Sequence, residues 1–246
     1  MINYTFKRIE VKFLLSKEQY ENIKDELFNH VKADEYGLST IQSLYYDTSN
    51  SLLVRRSIEK PFFKEKLRLR SYGLAKEDSK LYLEIKRKYD GVVYKRRIGV
   101  NQKEADLYIS GSIIPTSQIG KEILYMNKIY NGLEPKMLLI YDRTAYSDGK
   151  TDLRITIDEN IRYRTTNLDL SYSLDGKKIL DDGYVLMEIK TAFAFPMWLT
   201  KLLSKNKIFK TSFSKYGRAY QLELENENKE ILTWNNSSDQ YLAVVQ

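Results

Sequence analysis

Segment after segment of this sequence alternates a charged side chain with an aliphatic one, and that pattern leaves few folds open. In "KLRLRSYG" (66–73), Lys66, Arg68 and Arg70 share one side of an extended strand while Leu67 and Leu69 share the other, because strand side chains alternate with period two. "LYLEIKRK" sets Tyr82, Glu84, Lys86 and Lys88 against Leu81, Leu83 and Ile85. "LRITID" sets Arg154, Thr156 and Asp158 against Leu153, Ile155 and Ile157, and "VLMEIK" sets Glu188 and Lys190 against Val185, Met187 and Ile189. The first strand repeats the scheme, with Arg8, Glu10 and Lys12 opposite Ile9, Val11 and Phe13. The usual meaning of such alternation is a half-buried sheet with its charged face in water. The other solution is a barrel with its charged face inside.

The helices favour the second solution. Strands are predicted over about 4–15, 40–47, 62–72, 80–89, 92–100, 137–146, 152–164 and 183–191. Between them, "SKEQYENIKDELFNHV" opens with Ser16 and Gln19 in capping-box spacing and lines Tyr20, Ile23, Leu27 and Val31 along one stripe of a helix over about 16–32. Asn101 with Glu104 starts a second helix, "QIGKEILYMNKIY" reads as a third, and "PMWLTKLL" starts a fourth at Pro196. Asp90-Gly91 is a hairpin signal between two strongly charged strands. Amphipathic helices need an apolar sheet surface to cover. Helices on the outside turn the aliphatic faces outward and the charges into the lumen. The expected fold is therefore α+β: a closed antiparallel β-barrel of about eight strands forming a basic tunnel, with the helices packed outside. No linker or repeat divides the chain, so one domain over 1–225 is expected, followed by a C-terminal tail, 226–246, of undefined structure.

Composition narrows the chemistry. Lys and Arg number 40 against 33 Asp and Glu, a net charge of +7, which favours an anionic partner. The absence of cysteine removes disulfides, thiolate metal sites and cysteine nucleophiles. The single histidine, His30, falls near a helix end, where an exposed residue without a special role is expected. "MINYTFKRIE" is no signal peptide and no apolar run approaches the roughly 20 residues a membrane helix needs, so a cytoplasmic protein without a membrane span is expected. The 20 tyrosines and the basic charge raise single-stranded nucleic acid as a partner. Most of these tyrosines lie in strand patterns that barrel packing explains, and no nucleic acid partner is expected.

The inverted barrel would gather Lys12, Arg68, Arg70, Lys86, Lys95, Arg143, Arg154 and Lys190 with only a few acids among them. Two like charges 4 Å apart cost about 4 kcal/mol at an effective dielectric of 20, so a polyanion is needed to offset the repulsion. Arginine forks and lysine point charges both match the oxygens of a phosphate chain.

In order along the chain, "IEVKF" (9–13), "LRLRSYG" (67–73), "YLEIKRKYDGVVYKRR" (82–97), "YDRTAY" (141–146), "LRITID" (153–158), "LMEIKT" (186–191) and "FSKYGRAY" (213–220) resemble the VTC domain. The likeness covers about residues 4–222 and is to the stand-alone bacterial type of this polyphosphate polymerase domain, within the CYTH-like triphosphate tunnel superfamily. It implies tunnel roles for Lys12, Arg68, Arg70, Lys86, Lys95, Tyr141, Arg143 and Arg154, a metal-binding role for Glu188, and late phosphate contacts from Ser214 and Lys215. One position departs from the family pattern. A further lysine is common two residues before that serine, where this chain has Ser212; Lys210 is out of phase, and weaker hold on the chain or lower processivity is expected.

Phosphoryl transfer asks mainly for alignment, charge neutralisation and usually a divalent cation. Catalytic roles are expected for Arg68, Arg70, Lys86, Arg143 and Arg154, with phosphate held by Lys12, Lys95, Tyr141, Lys190, Ser214 and Lys215. Glu188, with Glu10 or Glu84 near it by strand parity, could hold Mn²⁺ or Mg²⁺; a simple ion pair with Lys190 or a neighbouring Arg is the structural alternative for Glu188. The expected reaction moves the γ-phosphate of ATP onto inorganic polyphosphate. The nucleophile is then a terminal phosphate, already ionised near pH 7, and needs no strong base. Hydrolysis of triphosphate or polyphosphate by the same fold, and a non-catalytic polyphosphate-binding module, remain as alternatives. Oligomeric state is left open.

Overall fold

The computed structural model describes residues 9–59, 61–90, 92–192 and 194–242. The chain starts with β1 (Ile9–Ser16), and the expected strand residues before it lie outside the described residues. Ser16 closes a reciprocal capping box with Gln19 and launches α1 (Lys17–Phe28), whose Tyr20, Ile23 and Leu27 are buried as the stripe predicts. β2 (Lys32–Asp47) follows, longer than the expected 40–47 because its first half continues past an irregularity between Ala33 and Leu38. α2 (Leu52–Glu59) has no counterpart in the sequence reading. Its start is fixed by Asp47, whose carboxylate accepts from the backbone N–H of Leu53 and Val54 at 2.8 and 2.9 Å. Eight residues with that cap placed five positions upstream give little periodicity to detect.

β3 (Phe63–Tyr72), β4 (Leu81–Tyr89) and β5 (Val92–Val100) form a meander. Tyr89 pairs with Val92 across a two-residue turn with Asp90 at φ 44°, as the Asp-Gly signal requires, although Gly91 lies outside the described residues. Asn101 and Glu104 form the expected capping box of α3 (Gln102–Ser110), and α4 (Gln118–Ile129) leads into β6 (Glu134–Ser147) and β7 (Arg154–Arg164). The short β8 (Lys177–Lys178), then β9 (Tyr184–Thr191), α5 (Met197–Lys205), the short β10 (Lys210–Thr211) and α6 (Lys215–Leu242) complete the chain. α6 runs unbroken through the position where a tail was expected. No helix among the described residues is long and apolar enough to cross a membrane.

All pairings are antiparallel, in the order β10-β1-β9-β7-β6-β2-β3-β4-β5, with β8 on β7. The helices lie on the aliphatic faces. Phe13 and Leu15 of β1, Ile155 and Ile157 of β7, and Val185, Met187 and Ile189 of β9 pack under α1 and α5. Leu67, Leu69, Leu81, Leu83 and Ile85 pack with Ala105 and Tyr108 of α3 and Ile123 and Met126 of α4. The charged faces therefore turn inward, as expected. Closure is where the expectation fails: among the described residues β5 and β10 end the ladder, and no backbone pairing joins them. The sheet nevertheless curls far enough for Lys86 of β4 to reach Glu10 of β1 at 3.2 Å, although five strands separate them along the ladder.

Part of the inner face is apolar. Ile41 and Tyr45 of β2, Met137, Leu139 and Tyr141 of β6, and Leu186 of β9 gather around Val54 of α2 and Tyr216 and Ala219 of α6. Ile161 and Tyr163 join them although strict alternation would turn these odd-numbered positions outward. A register shift between β6 and β7, with Asn160 at φ 48°, reverses the alternation there.

Candidate functional site

The inner wall is built by strand parity, so each cation has a defined neighbour. On β3 and β4, Arg68 stands opposite Glu84 and Lys66 opposite Lys86; on β5, Lys95 stands opposite Lys86. Glu84, 1% exposed, takes Arg68 at 2.7 Å and Lys95 at 2.8 Å, with Arg70 Nε at 3.8 Å. Burial alone would favour its neutral form, yet Arg68, Arg70 and Lys95 together pull its pKa down to about 2. On the facing wall Arg143 grips Asp158 with two bonds of 2.5 and 2.7 Å, and Lys215 from the first turn of α6 bonds the same carboxylate. Glu188 pairs with Lys190 at 2.8 Å and lies 3.9 Å from Arg143. Lys12 donates to the carbonyl of Phe213 at 2.9 Å.

Two phenols belong to this wall. Tyr45 accepts from Arg68 at 3.1 Å and Tyr141 from Arg70 at 3.3 Å, while Arg143 and Lys215 lie over the Tyr141 ring at 5.1 and 4.5 Å. Burial pushes both phenols up, but the surrounding cations outweigh it and both end below their ordinary pKa. Among the lysines the balance runs the other way. Burial, reinforced by Lys12, Lys86, Lys64 and Arg68, pushes Lys66 down to about 7, and burial with Arg68 and Arg70 brings Lys95 to about 8. Burial, with Lys215 and Lys86, also lowers Lys12. Burial is the largest cause for all three lysines, and the neighbouring cations add a positive field to it.

That field has a visible stoichiometry. Among the described residues, Lys12, Lys66, Arg68, Arg70, Lys86, Lys95, Arg143, Lys190 and Lys215 face an interior whose acids are Glu10, Glu84, Asp158 and Glu188, with Asp47 held against Tyr216. Ser43 Oγ, Arg70 Nε and Thr156 Oγ1 are buried on these inner faces without a hydrogen-bond partner, the signature of a wall made to meet a polar ligand.

The structure thus brings together Lys12, Arg68, Arg70, Lys86, Lys95, Tyr141, Arg143, Lys190, Ser214 and Lys215. Arg154 stands apart from them. It opens β7 at the mouth, across the ladder from Lys190, with its side chain 53% exposed and bonded to Asp34 of β2 at 2.9 Å. Parity puts it on the inner face; its place at the strand end puts it in water. Lys210 pairs with Phe13 and so lies on the outer face, while Thr211 pairs with Lys12.

Four residues outside the expected set help to build the wall. Lys66 sits in the same "KLRLR" stripe and bonds Ser214 at 3.2 Å. Asp158 lies in the "LRITID" alternation. Tyr45 stacks on Tyr216 at 4.4 Å, and Tyr216 donates to Asp47 at 2.9 Å, which anchors α6 to the cap of α2. Parity could have supplied the first two. The Tyr45–Tyr216–Asp47 chain joins residues up to 171 positions apart and has no local signal.

For a divalent cation the fit is partial. Among the described residues no three Asp, Glu, His or Cys side chains converge, so only a site of one or two carboxylates, completed by substrate oxygens, is compatible with the wall. Glu188 lies across the ladder from Thr156, whose orphaned hydroxyl is a further oxygen donor, and diagonal to Glu10, which pairs with Lys190. That set suits Mg²⁺ or Mn²⁺. Each of the three carboxylates is also paired with a cation, Glu188 with Lys190, Glu10 with Lys86, and Glu84 with Arg68 and Lys95.

The VTC domain family matches residues 7–224 of the chain. No curated relative matches it. In fold it is similar to a candidate adenylate cyclase from Bacillus halodurans, at 14% identity and TM-score 0.53 over 85% of this chain and 95% of the other. It is also similar to a candidate adenylate cyclase from Vibrio parahaemolyticus, at 10% identity and TM-score 0.50 over 88% and 99%.

Proposed function

The chain belongs to the VTC domain family, and on that footing we propose that it is a polyphosphate polymerase that transfers the γ-phosphate of ATP to a growing inorganic polyphosphate chain. The observation that carries the reading is the surplus of cations on one inner wall, with a buried guanidinium donor, Arg70 Nε, that has no hydrogen-bond partner and lies 3.8 Å from Glu84. A terminal oxygen of the chain attacks the γ-phosphorus, the bond from that phosphorus to the β,γ-bridging oxygen breaks, and ADP leaves. Because a terminal phosphate is largely ionised at neutral pH, no proton need be removed from it. Arg68, Arg70 and Arg143, fixed by Glu84, Tyr141 and Asp158, are set to donate to the phosphoryl oxygens; Lys12, Lys66, Lys86, Lys95, Lys190 and Lys215 neutralise the rest of the chain. Arg154 flanks this set at the mouth. A divalent cation held by Glu188 and Glu10 would supply charge neutralisation on the phosphate oxygens.

One observation bears on the hydrolytic alternative. A hydrolase must activate water, and the glutamate best buried for that task, Glu84, is held near a pKa of 2 and is a poor base. Transfer to phosphate is favoured over transfer to water. The protein is taken to act in the cytoplasm on ATP, triphosphate and polyphosphate, without nucleic acid. Incubating purified protein with ATP and Mn²⁺ or Mg²⁺ and separating the products on a gel tests the assignment. Ladders of long phosphate chains are expected. Orthophosphate alone would replace the polymerase with a hydrolase, and tight binding without turnover would leave a binding module.

A further inference from the structure

The inner wall does not end at its last buried cation. Beyond Arg70 on the same face of β3 comes Tyr72, and opposite Arg70 on β4 comes Tyr82. The two rings meet edge to face at 6.0 Å and 85°, the Arg97 guanidinium lies 4.8 Å from the centre of the Tyr82 ring, and Lys80 lies 5.9 Å from it. Tyr72 is 52% exposed, so one side of this cluster is open to solvent at the mouth. An inorganic phosphate chain has no use for aromatic faces; a nucleobase does, because stacking on a phenol ring and on a guanidinium plane binds any base through its π-face.

We propose that Tyr72, Tyr82 and Arg97 form a base-stacking subsite that holds the purine of a nucleoside triphosphate at the tunnel mouth while its phosphates reach inward past Arg70. The spacing is suitable: residues two apart on one strand face are about 7 Å apart, comparable to the step from a base across its ribose to the first phosphate. Tyr72 supplies the open ring face. Arg97 and Lys80, already over Tyr82, hold that second ring edge-on to Tyr72 and add positive charge where the ribose and first phosphate would lie. This subsite rests on the reading of ATP as donor, and it explains how a wall that grips any phosphate chain could tell its donor from its product.

The test measures binding of ATP and of inorganic triphosphate to the full chain by calorimetry, in wild type, Tyr72→Ala, Tyr72→Phe and Tyr82→Ala. Tyr72→Ala is expected to weaken ATP about tenfold and leave inorganic triphosphate unchanged; Tyr72→Phe, which keeps the ring, should bind both as wild type does. Tyr82→Ala should act like Tyr72→Ala. Equal loss for both ligands, or none for either, overturns the subsite. The polymerase assignment is judged separately by the product ladder, which can persist with ATP although Tyr72 proves to have no part in holding the base.

Discussion

Two groups of ion pairs lie on opposite sides of the same three strands. On the outer face, Arg87 of β4 bonds Glu65 of β3 at 2.8 Å and Glu122 of α4 at 2.7 Å, Glu122 takes Arg96 of β5 at 2.6 Å, and the Tyr130 hydroxyl donates to Glu65 at 2.8 Å. Each carboxylate there is matched, and the group ties α4 to the sheet. On the inner face of the same strands, Arg68, Arg70 and Lys95 share the single carboxylate of Glu84, and Lys66 stands opposite Lys86. Residue types and strands are the same. What differs is the ratio of charges and the presence of a covering helix. A matched group stabilises the fold; an unmatched one stores repulsion that a polyanion relieves.

The strongest way to break this comparison is to remove one arginine from each side. Arg68→Ala should lower the rate of phosphate transfer by about 100-fold or more, the scale for losing one charge-stabilising donor, and should also lower the thermal midpoint of the ligand-free protein, because it takes the nearest partner from the buried Glu84. Steady-state rates together with thermal melts check both halves, and wild-type activity in this variant would remove the chamber from the mechanism. Inorganic triphosphate should stabilise the wild-type fold by about 2.7 kcal/mol at 100 times its dissociation constant. That shift should shrink with added salt, vanish in Arg68→Ala and survive in Arg87→Ala; a shift equal in both variants would mean that the ligand binds elsewhere. Arg87→Ala should cost about 2 kcal/mol of stability at little cost to turnover. This is less than the ~3 to 5 kcal/mol for a fully buried pair, because 27% of the Arg87 side chain is still exposed.

Smaller effects sharpen the contrast. Arg154→Ala should reduce the rate by less than about tenfold, since an arginine at a wet mouth gains far less from its phosphate contact than one inside; a loss equal to that of Arg68→Ala would move Arg154 into the reacting centre. The lowered pKa values of Lys66, about 7, and Lys95, about 8, give a pH signature. Each folded-state value lies below the unfolded one near 10.4, so between them the unfolded chain binds more protons and stability of the ligand-free protein rises with pH. The penalty is full below about pH 7 and is relieved as pH climbs through 7 to 10. Bound phosphate reverses it, so triphosphate binding at pH 8 should take up protons, visible as a dependence of binding heat on the ionisation heat of the buffer.

Several features were legible from local pattern alone. Ser16 with Gln19 and Asn101 with Glu104 announce two helix starts, and Asp90-Gly91 a hairpin, because each acts within a few residues. Period two placed Lys12, Arg68, Arg70, Lys86, Arg143 and Glu188 on common faces. It could not report that Arg154 sits where β7 begins, that a bulge near Asn160 reverses the alternation, or that α2 exists at all, since its cap comes from the end of a long strand. His30, expected to be exposed, is exposed and stacks on Trp198 at 4.1 Å, a contact across 168 positions.

By itself the sequence determined that the strands have two unlike faces, where several helices begin, and that positive charge exceeds negative on the polar side. Those properties follow from backbone geometry and neighbouring residues. Tertiary structure decided which face is interior, how far the sheet curls, which cations share one carboxylate, and that α6 delivers Ser214 and Lys215 into the wall. Distances between side chains on different strands depend on register, twist and the docking of helices from distant parts of the chain, and no local pattern encodes them.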